Sequence, residues 1–281
     1  MINMPHTRTR PLLTFLLLWV VISSATSVYG APAANLWPRW QTHEQHSPEI
    51  VDHIDWDLIL QRYVDANHPS GINRFKYSSI SPKDRQALKN YLQKMQNVAV
   101  SGLNRKEQKA YWINLYNALT VEVILEHYPV KSIRAISISP GLFIKGPWDA
   151  KLLTIEGEKI SLNDIEHRIL RPIWKDNRIH YAVNCASLGC PNLIPQAFTS
   201  QNIDLLLEKA TRDFINHPRG VSFPRNTLQV SSIYFWFQED FGDSEKGIIL
   251  HLKKYLSKEN LKKLSKVKKK IRHEYDWNLN E

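Results

Sequence analysis

Cysteine is scarce in this 281-residue chain: Cys185 and Cys190 are the whole complement. No Cys-x-x-Cys spacing occurs and no His-x-x-x-His pair stands nearby, which argues against a structural zinc site even though His180, Cys185 and Cys190 would supply three ligands. No cysteine lies near residue 30, which argues against a lipid-anchored lipoprotein. Internal repeats are absent, and low complexity is confined to a lysine-rich tail. Long apolar runs are also missing. The longest, residues 12–22, is too short to span a bilayer comfortably and passes directly into Ser23, Ser24, Ala25 and Thr26.

That run sits between a basic start (Arg8, Arg10) and small residues ending at Val28-Tyr29-Gly30, the pattern of a secretory signal cleaved after Gly30; a retained membrane anchor is the alternative. Removing residues 1–30 takes away two arginines and no acid, lowering the net charge from +10 to +8. Most of that excess is local: ten Lys/Arg, from Lys253 to Arg272, face one acid, Glu259. Outside the cytoplasm such a stretch can meet anionic lipid or an acidic wall polymer. Nucleic acid is a poor partner for an exported chain. The plain reading is a solvated basic helix, with Leu252, Leu256, Leu264, Val267 and Ile271 beneath the lysines.

Residues 31–48, with Pro32, Pro38 and Pro48, read as an extended arm with little fixed structure, and residues 49–281 as one globular domain. Apolar spacing predicts helices from Ile54 to Tyr63, from Pro82 behind a Ser81 cap, over 105–127 before Pro129, over 162–170 and over 202–216. Residues 133–138 fit a short helix or a strand equally well. Hairpins are expected at 151–161, turning on Gly157, and at 221–230, turning on Arg225-Asn226. Ser161 and Asp164 form a capping box that launches the helix carrying Glu166 and His167. The alternating run 178–184 predicts a strand feeding directly into Cys185. Helices outnumber strands and the strands pair as hairpins. The expected fold class is therefore α+β, a single helix-rich domain with short antiparallel hairpins, of which a thiol-protease-like arrangement is one form.

Four separated segments carry a family likeness: Trp112-Ile113-Asn114-Leu115-Tyr116-Asn117-Ala118; Ser161-Leu162-Asn163-Asp164-Ile165-Glu166-His167 with Leu170-Arg171; His180-Tyr181-Ala182-Val183-Asn184-Cys185-Ala186-Ser187 with Cys190-Pro191; and Tyr275-Asp276-Trp277-Asn278-Leu279-Asn280. Together they resemble the domain of unknown function 547 family over residues 50–281, and imply an exported bacterial member of it. The resemblance singles out Glu166-His167 and the first cysteine, implying that Cys185 and His167 are better site candidates than Cys190.

The residues themselves suggest a thiol nucleophile. Small Ala186, Ser187 and Gly189 leave room beside Cys185 for a substrate carbonyl, and free backbone N–H groups there would hold an oxyanion. His167 is the expected base and His180 its competitor. Asn114 or Asn117 would orient the imidazole, with Glu166 a weaker choice because consecutive helix residues point about 100° apart; lying three apart on one helical face, the two Asn equally fit a structural role, tying their helix to a neighbouring loop. The expected function is a thiol-dependent hydrolase or acyl transferase acting on an amide, peptide or thioester bond of an unknown small-molecule or peptide substrate, with no cofactor and no metal. Its rival is a non-catalytic envelope binding module with a structural Cys185–Cys190 disulfide; free thiols and a disulfide are both compatible with the spacing. Asp276 is expected to cap the C-terminus, and Trp236 and Trp277 to belong to the core.

Overall fold

The longest helix sets the frame. Asn104 starts it, its side chain accepting from Lys106 N at 3.2 Å and Glu107 N at 3.0 Å. The computed structural model describes residues 32–141, 144–268 and 270–281; the signal-like segment lies outside the described residues. Helix α1 (Ile54–Tyr63), the short pair β1 (Val64–Asp65) and β2 (Arg74–Phe75), and α2 (Pro82–Gln96) lead to the frame helix, α3 (Arg105–His127). Every residue of α3 from Glu107 to Leu125 is buried, so other elements surround it on all sides.

The hairpin β3 (Leu153–Ile155) and β4 (Glu158–Ile160) turns on Glu156 and Gly157, both in the left-handed region. The capping box closes reciprocally: Asp164 N donates to Ser161 Oγ at 3.2 Å, and Ser161 N donates to Asp164 Oδ2 at 2.8 Å. The next helix differs from expectation in its winding. Asp164–Leu170 is a π-helix that passes into α4 (Arg171–Trp174).

The expected strand over 178–184 is not formed. Asn177–Tyr181 coils as a 3-10 helix, its entry fixed by Asp176, whose side chain accepts from Arg178 N. Then come α5 (Ile203–Asn216), β5 (Val221–Ser222), β6 (Gln229–Ser231), α6 (Ile233–Trp236), α7 (Glu245–Tyr255) and α8 (Lys258–Leu264). The basic tail is therefore not one helix: Ser257 caps a new one, and Arg272–Glu274 is a strand, β7, pairing parallel to β6.

The main core packs α1 to α3, the β3–β4 hairpin and the π-helix, whereas a smaller one gathers Phe214, Tyr234, Phe241, Ile248 and Leu252. His53 and His251 are buried within the fold. His53 Nδ1 and the Tyr91 hydroxyl share a 2.7 Å hydrogen bond, as do His251 Nε2 and the Tyr181 hydroxyl.

The arm, expected to have little fixed structure, is pinned. Trp40, in the 3-10 turn Pro38–Gln41, is 2% exposed and meets Trp112 edge-on at 5.0 Å. Ahead of it, Asn35 N and Trp37 N donate to the carbonyls of His167 and Arg168, both at 2.9 Å. The π-winding frees the first acceptor, because Arg171 N bonds to Glu166 O rather than to His167 O, and Pro172, which has no N–H, leaves the second without its α-helical donor. Trp40→Ala should cost about 3–5 kcal/mol. Urea denaturation would show that loss, and limited proteolysis would show cleavage across residues 32–41; an arm that stays protected at unchanged stability would refute the anchoring role.

Candidate functional site

Asn114 and Asn117 lie one turn apart on α3 and grip loops, not an imidazole. Asn114 Nδ2 donates to Phe198 O at 2.7 Å while its Oδ1 accepts from Phe198 N at 3.0 Å. Asn117 does the same one loop over, donating to Ala182 O at 2.9 Å and accepting from Asn184 N at 2.8 Å. Their expected role of orienting a histidine gives way to a structural one, because buried backbone groups need partners and these amides supply them.

The segment held by Asn117 leads into the cysteine loop. Cys185 and Cys190 are joined in a disulfide. Asn184 closes the same loop with its side chain, accepting from Ala186 N at 2.8 Å and donating to Pro191 O at 2.7 Å. Ala186 is thereby held at φ +58°, a left-handed conformation that costs a non-glycine residue roughly 1–2 kcal/mol.

The C-terminal residues lie across this loop. Leu188 N donates to Asn278 O and Gly189 N to Asp276 O, each at 2.8 Å, and Asn280 N donates to Ala186 O at 3.2 Å. A Cβ at Gly189 would sit 2.8 Å from Asp276 N, so only glycine admits this approach. The Asp276 side chain accepts from Asn278 N at 2.9 Å, a turn within the terminus itself, and it is the Asp276 carbonyl that ties the terminus to the loop.

These bonds change the chemistry foreseen for the loop. The amides of Ala186, Leu188 and Gly189 are occupied, as are those of Cys185, which donates to Cys190 Sγ at 2.9 Å, and Cys190, which donates to Ser187 O at 3.0 Å. Of the oxyanion donors expected here, the Ala186 and Gly189 amides are therefore committed elsewhere, and the Ser187 amide is left without an acceptor among the described residues. The Tyr275 hydroxyl lies 3.1 Å from Cys185 Sγ, 3.0 Å from Cys190 Sγ and 2.9 Å from Ser187 Oγ. The partners of Cys185 Sγ are these two hydroxyls, and no histidine is among them. Cys185 is half-buried, whereas Cys190 is 4% exposed.

The histidines occupy a second cluster. His167 is buried, its Nδ1 accepting from Arg171 Nη1 at 3.0 Å. Burial pushes its pKa down to about 4, with the Arg171 charge adding to the effect, so the ring is neutral at pH 7 and supplies no imidazolium to favour a thiolate. His180 stacks on Phe237 at 4.3 Å; its Nε2 lies 2.7 Å from Asp240 Oδ2, and its Nδ1 3.9 Å from Glu166 Oε1.

Arg171 is the hub of this cluster. It donates to Asp240 at 2.6 Å, to Glu239 at 2.5 Å and to Pro32 O of the arm at 2.7 Å. Burial raises the Asp240 carboxyl, yet the hydrogen bonds from His180 and Arg171 outweigh it and hold it below its ordinary value. Tyr116, on α3, is buried, and burial first, then the Glu166 charge, pushes its phenol far up.

Trp236 and Trp277, expected in the core, are half-buried and tilted together at 5.5 Å, with Tyr275 at 4.8 and 4.7 Å from them and Arg134 lying over Trp277 at 5.1 Å. Among the described residues no group of three or more His, Cys, Asp or Glu is arranged to hold a metal ion. His180 is bound to Asp240 and the two sulfurs to each other. Tyr275 and Arg171 stood inside the motifs without being read as site residues; Glu239 and Asp240 gave no local signal.

Residues 100–215 match the family model described as "Protein of unknown function, DUF547". This stretch contains the first three of the four motif segments and ends before Tyr275-Asp276-Trp277-Asn278-Leu279-Asn280. No curated protein and no solved structure matches the chain.

Two outcomes follow from this geometry. Asn117→Ala leaves Ala182 O and Asn184 N buried without partners and should cost about 2–4 kcal/mol in urea denaturation; an unchanged midpoint would restore the orienting role. His53, His167 and His251 are each held down to about 4, chiefly by burial, against an ordinary 6.5. Below pH 6.5 the unfolded chain takes up protons that the folded one refuses. Stability is therefore complete above that pH and is lost as pH falls toward 4, each ring withdrawing about 1.4 kcal/mol for every pH step of one across that window. Denaturation curves from about pH 7.5 to about pH 4.5 should show the fall, and His251→Phe should flatten it; an unchanged slope would exclude burial of that ring as a cause.

Proposed function

We propose that the chain is an exported, non-catalytic binding module of the cell envelope, with the Cys185–Cys190 bond as a structural lock. One observation carries this reading: the sulfurs are bonded to each other beneath the Tyr275 hydroxyl, with no imidazole among the partners of Cys185. The occupied amides of Cys185, Ala186, Leu188, Gly189 and Cys190 support it, since an oxyanion hole needs converging free donors and the Ser187 amide alone in this loop lacks an acceptor among the described residues. The signal-like first 30 residues and the disulfide both suit an oxidising compartment. The exposed lysines of 253–272 suit a partner of opposite charge, an anionic lipid surface or an acidic wall polymer.

A thiol-dependent hydrolase or acyl transferase is the second reading, and one feature favours it. Cys185 is the more exposed sulfur, and Ala186 directly after it is held in a strained turn of the kind that presents nucleophiles. On reduction Cys185 would carry the thiol, with Ser187 and Tyr275 beside it. His167 could act as base only after leaving Arg171.

Intact-mass measurement with and without reductant, followed by alkylation of the native protein, separates the two. The binding module is expected to take no label until reduced, and Cys185→Ala with Cys190→Ala to lower stability by about 2 kcal/mol through the released loop. Labelling of Cys185 in the unreduced native protein by a thiol-directed probe, abolished by Cys185→Ala, would overturn it in favour of the enzyme.

A further inference from the structure

The basic tail does not lie on a flat surface. Helices α7 and α8, with Ser265, Val267, Lys268, Lys270 and Ile271, line an open groove of about 450 Å³, within the range of about 300–1,000 Å³ typical of small-molecule sites. Its floor includes Leu228, Ile249, Leu264 and Ile271. On α7, Ile248 and Leu252 are buried in the smaller core, whereas Ile249 and, across the groove, Ile271 pack against its edge and stay partly exposed. Lys253, Lys268 and Lys270 line the same groove, against one acid, Glu245. All three lysines are exposed; the ion pair found in this stretch among the described residues joins Lys263 to Glu259 instead.

We propose that this groove binds a single-chain anionic amphiphile, a fatty-acid-type carboxylate, with its alkyl chain on the apolar floor and its head group among Lys253, Lys268 and Lys270. The two halves of the lining select the ligand together. A neutral hydrocarbon would fill the floor and gain nothing from three ammonium groups. A small anion such as phosphate would meet the lysines and leave the partly exposed Ile249 and Ile271 in water. A wall polymer is too wide for a recess of this volume and would use the outer lysines. An amphiphile with one chain and one negative charge satisfies both halves, and lysine stems lying along apolar walls with their ammonium groups outward suit its head group. The site rests on the binding-module reading for its use of the basic tail but requires nothing of the cysteine loop, so labelling of Cys185 can overturn that reading while this groove still binds, and the reverse.

Titration of the full chain with a dansyl-labelled fatty acid, kept below its micelle-forming concentration, tests the proposal. One saturable site is expected. Dodecanoate should displace the probe, and dodecanol should do so at least about tenfold less well. Lys253→Glu with Lys270→Glu should weaken dodecanoate by about tenfold or more while leaving the melting temperature unchanged. Should that double variant melt early, Lys253→Gln carries the test, with a several-fold loss expected. Ile249→Trp, which fills the floor, should remove probe binding. Equal displacement by dodecanol and dodecanoate, an affinity untouched by the lysine substitutions, or binding seen only with phosphatidylglycerol vesicles and never with the monomer would each overturn it.

Discussion

Asn184 is 5% exposed, and the polar groups it carries are what tie three distant parts of the chain together. Its backbone N–H is held by Asn117 of α3, its side chain closes the cysteine loop from inside, and its Oδ1 faces Asn280 Nδ2 at 3.4 Å. Each of these bonds is worth only about 1 kcal/mol net, but leaving any one unmade in the interior costs the full desolvation of the orphaned group. The loop, the frame helix and the C-terminal residues therefore hold one another in place. Tyr275 completes the arrangement, since its hydroxyl can reach both sulfurs and Ser187 only while the C-terminal residues lie across the loop.

The same interior fixes the charge state of the second cluster. A buried guanidinium is tolerable only when paired, and Arg171, with 1% of its side chain exposed, has Glu239, Asp240 and a carbonyl of the arm. With two carboxylates so close, the imidazole that shares Asp240 is His180, while His167 accepts from Arg171 and remains neutral. The π-winding belongs to this balance. By passing the Arg171 amide to Glu166 O, it leaves the carbonyl of His167 to the arm, as Pro172 leaves that of Arg168, and the arm in turn brings Pro32 O to Arg171.

Local signals were readable where a residue's own neighbours decide its conformation. Ser81 and the Ser161–Asp164 box each cap within three residues, so the start of α2 and the capping box lay open in the sequence. The strand expected over 178–184 failed for a physical reason: residues 179–184 are all buried, so the alternation of Ile179, Tyr181 and Val183 marks no solvent face. The tail misled in the opposite way. Its leucine spacing spans a real apolar side, yet Ser257, accepting from Asn260 N and donating to Asn216 Oδ1, breaks the run into two helices. Of the site, the motif residues were legible as a set but not as contacts. Asp240 meets Arg171 and His180 across 69 and 60 residues of sequence, a distance over which periodicity carries no information.

The path from the groove to the disulfide is short along the chain. Ile271 lines the groove; Arg272–Glu274 form β7, hydrogen-bonded in register to β6; Tyr275 follows at once and touches both sulfurs. Such continuity does not make the two sites communicate, because coupling requires an element with two arrangements that both sites bias, and this segment is fixed at each end. What continuity provides is rigidity. A groove wall continuous with a paired strand and anchored by a bonded loop loses little conformational freedom when a ligand enters, so less of the contact energy is spent on ordering and more is retained as affinity. The loop that reads in sequence as the place for chemistry thus serves the rest of the molecule as a fixed point.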